Sequence, residues 1–182
     1  MQAFAGVAQA LNNVYLLIIG GGTKPIEAEI QKLVADLNIG HRLHFTGMVA
    51  YENLPSHLLM CDAFITASVT EVHPLSVIEG MAAGLPVMGI ESPGVSDTVE
   101  DGKTGFLSTE DLPAFTAKLT RLCLDTALRK RMGNAARQAS TRYAIERTSR
   151  SLLDQYERLV YASRPRRETW EVRLRSFLER YW

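Results

Sequence analysis

Residues 63–90 read AFITASVTEVHPLSVIEGMAAGLPVMGI, and this stretch decides the fold. Its two ends, 63–67 and 87–90, are short runs apolar at nearly every position, the pattern of strands buried on both faces. Between them residues 75–83 carry helical spacing, and Gly84 and Pro86 stop the helix. A helix joining two such strands is a right-handed βαβ unit, so the strands are expected to lie parallel.

The pattern continues in both directions. Upstream, Phe4, Val7, Ala8 and Leu11 share one face of a helix over 1–11, and 15–19 form an apolar strand ending at Gly20-Gly21-Gly22. A helix over 26–37, a strand over 43–45 and a helix over 54–60 follow. Downstream, 105–107 read as a last short strand, and helices over 112–124, 127–140 and 145–161 succeed it. Alternation of this kind predicts an α/β fold, a Rossmann-like doubly wound parallel sheet over 1–163. Pro165 marks a boundary before an amphipathic helical tail over 164–182.

Composition narrows the function. Hydrophobic residues make up 46% and charged residues 22% of the 182, an ordinary soluble balance that supports one core. Lysine plus arginine equals aspartate plus glutamate at 20 each, so there is no whole-molecule field to attract nucleic acid. Cys61 and Cys123 lack CxxC spacing and sit among apolar residues, which suits reduced thiols in the cytoplasm. Neither a signal peptide nor a spanning segment is evident: the apolar N-terminus has no basic region, and Asn12-Asn13 interrupt it.

Open α/β sheets bind ligands beyond the carboxyl ends of their strands, where helix N-termini favour phosphate. After 63–67 the chain runs Glu71-Val72-His73-Pro74-Leu75-Ser76, then into a helix carrying Glu79. Pro74 suits a first turn, so the amides of Leu75 and Ser76 are expected to stand free as an anion site. Glu71 precedes that terminus and Glu79 lies inside it, so the two carboxylates are placed to border one ligand at two points.

Glu71 and Glu79 form an E-x7-E motif that continues as Gly-Met-Ala-Ala-Gly-Leu-Pro-Val, then Pro93-Gly94-Val95 and Asp101-Gly102-Lys103-Thr104-Gly105. With the Gly20–22 turn and His44-Phe45-Thr46-Gly47, this resembles the C-terminal half of the GT-B fold in retaining glycosyltransferases of family 4. The resemblance covers 1 to about 161. It implies a nucleotide diphosphate sugar as donor substrate, no cofactor and no metal, and transfer of a hexose to an acceptor hydroxyl. It implies that Glu79 holds the ribose hydroxyls and that Glu71, the catalytic candidate, orders the donor sugar. It further implies that amides at Leu75 and Ser76 meet the diphosphate and that Thr46, Gly47, Met48 and Val49 meet the base beside Gly20, Gly21 and Gly22. His73 either touches a sugar hydroxyl or packs at the helix start. Val72-His73-Pro74 departs from the glycine and aromatic residue usual there, which leaves sugar preference open. The family's first strand, its Arg/Lys loop and its N-terminal acceptor domain are expected to lie outside these residues, so that this chain alone is expected to be inactive.

Other readings stand beside that one. The glycine turn fails the G-x-G-x-x-G spacing at Pro25, and no acid follows the next strand, which disfavours a dehydrogenase. No D-x-D and no His/Cys cluster favours a metal enzyme. Another GT-B enzyme, such as a glucan synthase or nucleotide-sugar epimerase, and a non-catalytic binding module are the alternatives. His41, His44 and His57 are read as surface or strand-end residues. In the tail, six arginines face three glutamates, and Trp170, Leu174, Phe177, Leu178, Tyr181 and Trp182 share a face. That pattern fits either a packing helix or contact with an anionic membrane surface.

Overall fold

A computed structural model describes residues 1–163, 175 and 177–180. Two compact units divide the chain, Met1–Arg142 and Tyr143–Trp182. The first runs α1 (Gln2–Ala10), β1 (Leu16–Ile18), α2 (Lys24–Asp36), β2 (Leu43–Phe45), α3 (Leu54–Leu59), β3 (Phe64–Ile65), α4 (Leu75–Ala82), β4 (Val87–Ile90), α5 (Pro93–Thr98), β5 (Gly105–Ser108), α6 (Leu112–Leu124) and α7 (Thr126–Ser140). Every strand pairing is parallel, as the alternation of strand and helix requires.

Side chains of β4 and β5 alternate between two cores, because successive residues of a strand face opposite ways. Met88 and Phe106 pack with Val7 of α1, with Phe115, Leu119 and Leu122 of α6, and with Leu128 and Met132 of α7. Val87 and Leu107 instead join Val77 and Met81 of α4, Val95 of α5 and the following Val99, and Ala136 of α7. Helical layers therefore cover both faces of the sheet, the doubly wound arrangement expected. A third cluster joins Phe4 and Ala5 of α1 to Val34 and Ile39.

Pairing runs in two pieces, β1-β2 and β3-β4-β5. The neighbouring edges of β1 and β3 line one cleft of about 540 Å³. Their residues are half-buried although the run 15–19 is as apolar as β4, whose first three residues are fully covered. Sequence specifies the apolar run, and only packing specifies its cover.

Smaller differences have local causes. α2 starts at Lys24 because Pro25 is tolerated in a first turn. α5 is absent from the sequence pattern because six residues show no helical period; burial of Val95 and Thr98 holds it in place. Asp111 and Asp125 cap α6 and α7, their side chains accepting from the amides of Ala114 at 2.7 Å and Leu128 at 2.8 Å. Gly80 lets α4 approach β3, since a Cβ there would stand 2.8 Å from the Phe64 ring.

In the second unit α8 (Ile145–Ser163) leaves Leu152, Tyr156, Leu159 and Val160 exposed. The tail reading for 164–182 falls outside the described residues apart from Arg175 and 177–180.

Candidate functional site

α4 begins at the carboxyl end of β3, after the loop that holds Glu71. Pro74 sits at its N-cap with φ −79° and ψ 82°, close to an inverse γ-turn, and the Leu75 amide donates to the His73 carbonyl at 2.9 Å. The expectation that the Leu75 amide stands free is therefore corrected: proline's fixed φ folds the chain back so that this donor is used locally. Ser76, one residue on, is exposed. It shares a helix face with Glu79, three residues later, and both line the cleft between β1 and β3.

Each carboxylate has its own partner. Glu79 Oε1 accepts from the Tyr51 hydroxyl at 2.8 Å. That contact pushes the Tyr51 phenol above its ordinary value, first through the hydrogen bond and then through the carboxylate charge. Glu71 Oε1 accepts from Ser68 Oγ at 3.1 Å, and its carbonyl accepts from the Gly94 amide at 2.9 Å. His73 is exposed on the same loop. Sequence reasoning missed Tyr51 and Ser68 as site residues. Tyr51 lies 28 positions from Glu79, and no local spacing marks such a pair.

The glycine turn and the stretch after β2 meet. The Gly20 amide donates to the Gly47 carbonyl at 3.1 Å and lies 3.3 Å from Thr46 Oγ1, while Thr46 Oγ1 donates to Gly47 O at 2.8 Å. Gly20 takes φ 112° and Gly47 φ 65°. A Cβ on Gly21 would touch the Met48 side chain at 3.5 Å, so Met48, itself exposed, lies against the turn, and Val49 is half-buried. Gly20, Gly21, Gly22 and Gly47 line a hollow of about 430 Å³ with Glu27 and Phe45. The Gly22 amide donates to Glu27 Oε1 at 3.2 Å.

Among the described residues no group of three His, Cys, Asp or Glu is placed to hold a metal ion. Cys61 and Cys123 are free thiols, and burial raises the pKa of each. No described helix is long and apolar enough to cross a membrane.

Comparison with known proteins gives this geometry a context. The profile described as glycosyl transferases group 1 matches residues 1–139. N-acetyl-alpha-D-glucosaminyl L-malate synthase of Bacillus anthracis is 31% identical over 162 residues, 88% of this chain and 40% of that protein. D-inositol 3-phosphate glycosyltransferase of Streptomyces avermitilis is 31% identical over 159 residues, 85% of this chain and 34% of that protein. The chain thus spans less than half the length of these relatives. Sucrose-phosphate synthase from Thermosynechococcus elongatus superposes with a TM-score of 0.80 at 25% identity, over 89% of this chain and 42% of that one. Anabaena HepE in complex with UDP and glucose shares the fold, with a TM-score of 0.77 at 22% identity over 86% of this chain and 44% of that one.

Proposed function

We propose, since this chain belongs to the glycosyl transferases group 1 family, that it is the donor half of a retaining hexosyltransferase and binds a nucleotide diphosphate sugar. The observation that carries the reading is the placement of Ser76 and Glu79 on one cleft at the carboxyl end of β3, beside the interlocked turns at Gly20 and Gly47. Relatives that act on sugars, and a neighbour holding UDP and glucose, support it.

Glu79 is the ribose anchor in this reading. A carboxylate only accepts, and a vicinal diol offers two donors; Tyr51 fixes one carboxylate oxygen and leaves the second directed elsewhere. Ser76 and the first turn of α4 face the diphosphate, where backbone amides and the helix dipole favour negative charge. Thr46 to Val49 and the Gly20–22 turn border the base. Glu71, held by Ser68, accepts from donor-sugar hydroxyls and orders the ring as the bond to the diphosphate breaks and an acceptor hydroxyl adds on the same face, its proton passing to the departing diphosphate. The growing charge on the leaving diphosphate is the main demand of that step, and preorganised donors meet it best. No divalent ion is assigned a part in donor binding.

The acceptor is proposed to be held by residues other than these 182, consistent with the relatives' greater length. Positioning supplies roughly 7 to 11 kcal/mol of such a barrier, so donor binding without measurable transfer is expected of this chain alone. Incubation with radiolabelled nucleotide sugars and mixed acceptors, beside a longer version of the protein, tests this. Equal turnover by the two would refute it. Glu71→Gln in the longer protein should lower turnover more than nucleotide affinity.

A further inference from the structure

We infer that Ser92 and Gly94, at the start of α5, are positioning residues that fix the Glu71 carboxylate for the donor sugar; this rests on the proposed role of Glu71.

Ser92 occupies the N-cap of α5, a place where serine ordinarily accepts from the amides of the first turn. It makes no such cap bond. Its hydroxyl, on a residue only 7% exposed, instead lies 3.3 Å from the Ser68 carbonyl, 24 residues away, and 3.4 Å from the Ile90 carbonyl. Local rules are broken in this way chiefly where function requires it. Ser68 in turn donates through its own hydroxyl to the Glu71 carboxylate at 3.1 Å. A relay therefore runs from α5 through Ser68 to the side chain of Glu71.

Gly94 supplies the second hold. Its amide donates to the Glu71 carbonyl at 2.9 Å, and the approach is so close that a Cβ on Gly94 would stand 2.3 Å from that oxygen and 2.8 Å from the Val72 carbonyl. Both obstacles are backbone atoms, so no side-chain rotation relieves the clash and one of the two segments must move. α5 is the rigid partner. Val95 is wholly buried against Val77 and Met81 of α4, and Thr98 Oγ1 donates to the Gly94 carbonyl at 2.8 Å. Val72 and His73 are both exposed, and this loop is the part that yields. Glu71 is thus held at its carboxylate by the relay and at its carbonyl by Gly94, both from the same end of α5.

Calorimetry with two ligand pairs, UDP against UDP-glucose and GDP against GDP-mannose, separates positioning from folding. The ratio of the two Kd values within the better-bound pair measures what the sugar adds, and Glu71 acts only on that ratio. Ser92→Ala and Gly94→Ala are expected to lower the ratio by roughly 3- to 10-fold, as loss of one hydrogen-bonded contact does, with the Kd of the free nucleoside diphosphate unchanged. Ser92→Thr, which keeps the hydroxyl, should restore it. Ser92→Ala removes only the oxygen, so it answers the question if Gly94→Ala fails to fold. If Glu71→Gln lowers the ratio while both Ser92→Ala and Gly94→Ala leave it at the wild-type value, positioning by α5 is overturned and the role of Glu71 stands. A loss of nucleoside diphosphate affinity equal to the loss of nucleotide-sugar affinity would also overturn it, because that is the mark of general disruption. A ratio insensitive to Glu71→Gln would instead remove the proposed role of Glu71, and this inference with it.

Discussion

Tyr51 is the residue whose chemistry is most directly measurable. The residue is 74% exposed, yet its hydroxyl is held by Glu79. Ionising the phenol would place two anions in contact, so its folded pKa lies above the ordinary value of 10.0. A pKa raised by folding means the contact stabilises the fold at neutral pH and is lost as pH rises through the raised value. The difference between ultraviolet titrations of the wild type and Tyr51→Phe should give one tyrosine titrating above 10.0, and Glu79→Gln should bring that midpoint down. An unchanged midpoint in Glu79→Gln would show that the contact does not form in solution. Cys61 and Cys123, whose thiols burial pushes up, should alkylate more slowly at pH 7.5 than a small free thiol. Glu79 was legible from its spacing to Glu71 and the residues after it. Tyr51 was not, because a contact between segments 28 residues apart leaves no periodic trace in either.

Elements were legible in proportion to how far local pattern determines them. β2, β4 and α6 match the residues that carry their apolar spacing, and β5 runs only one residue further, to Ser108. α5 was invisible, since its six residues show no helical period and burial of Val95 and Thr98 holds it. Strand order was also beyond reach: an apolar run announces a buried strand without naming its neighbour. The half-buried β1 and β3, each with an edge on the cleft, should therefore exchange their amides faster than β4 and β5. Hydrogen exchange read by mass spectrometry checks this, and equal protection across all five strands would contradict it. At the start of α7, Asp125→Ala removes a side-chain cap and should cost about 1 kcal/mol in urea unfolding.

For the whole molecule, the proposed donor binding has no net charge to drive it. Lysine plus arginine balances aspartate plus glutamate, so the proposed affinity for an anionic donor would come from local groups, the first turn of α4 for the phosphates and Glu79 as acceptor for the ribose hydroxyls. The same placement explains why the motif was readable while the cleft was not: the motif is contiguous, whereas the cleft joins β1 to β3 across some 45 residues. Calorimetry of this chain with UDP-, GDP- and ADP-sugars in excess EDTA, for the wild type and Glu79→Gln, tests the donor-site reading most directly. The expected result is weak binding of at least one of them without metal, reduced in Glu79→Gln by roughly 1 to 3 kcal/mol. No binding of any at millimolar concentration, binding only with a divalent ion, or equal affinity in Glu79→Gln would contradict it.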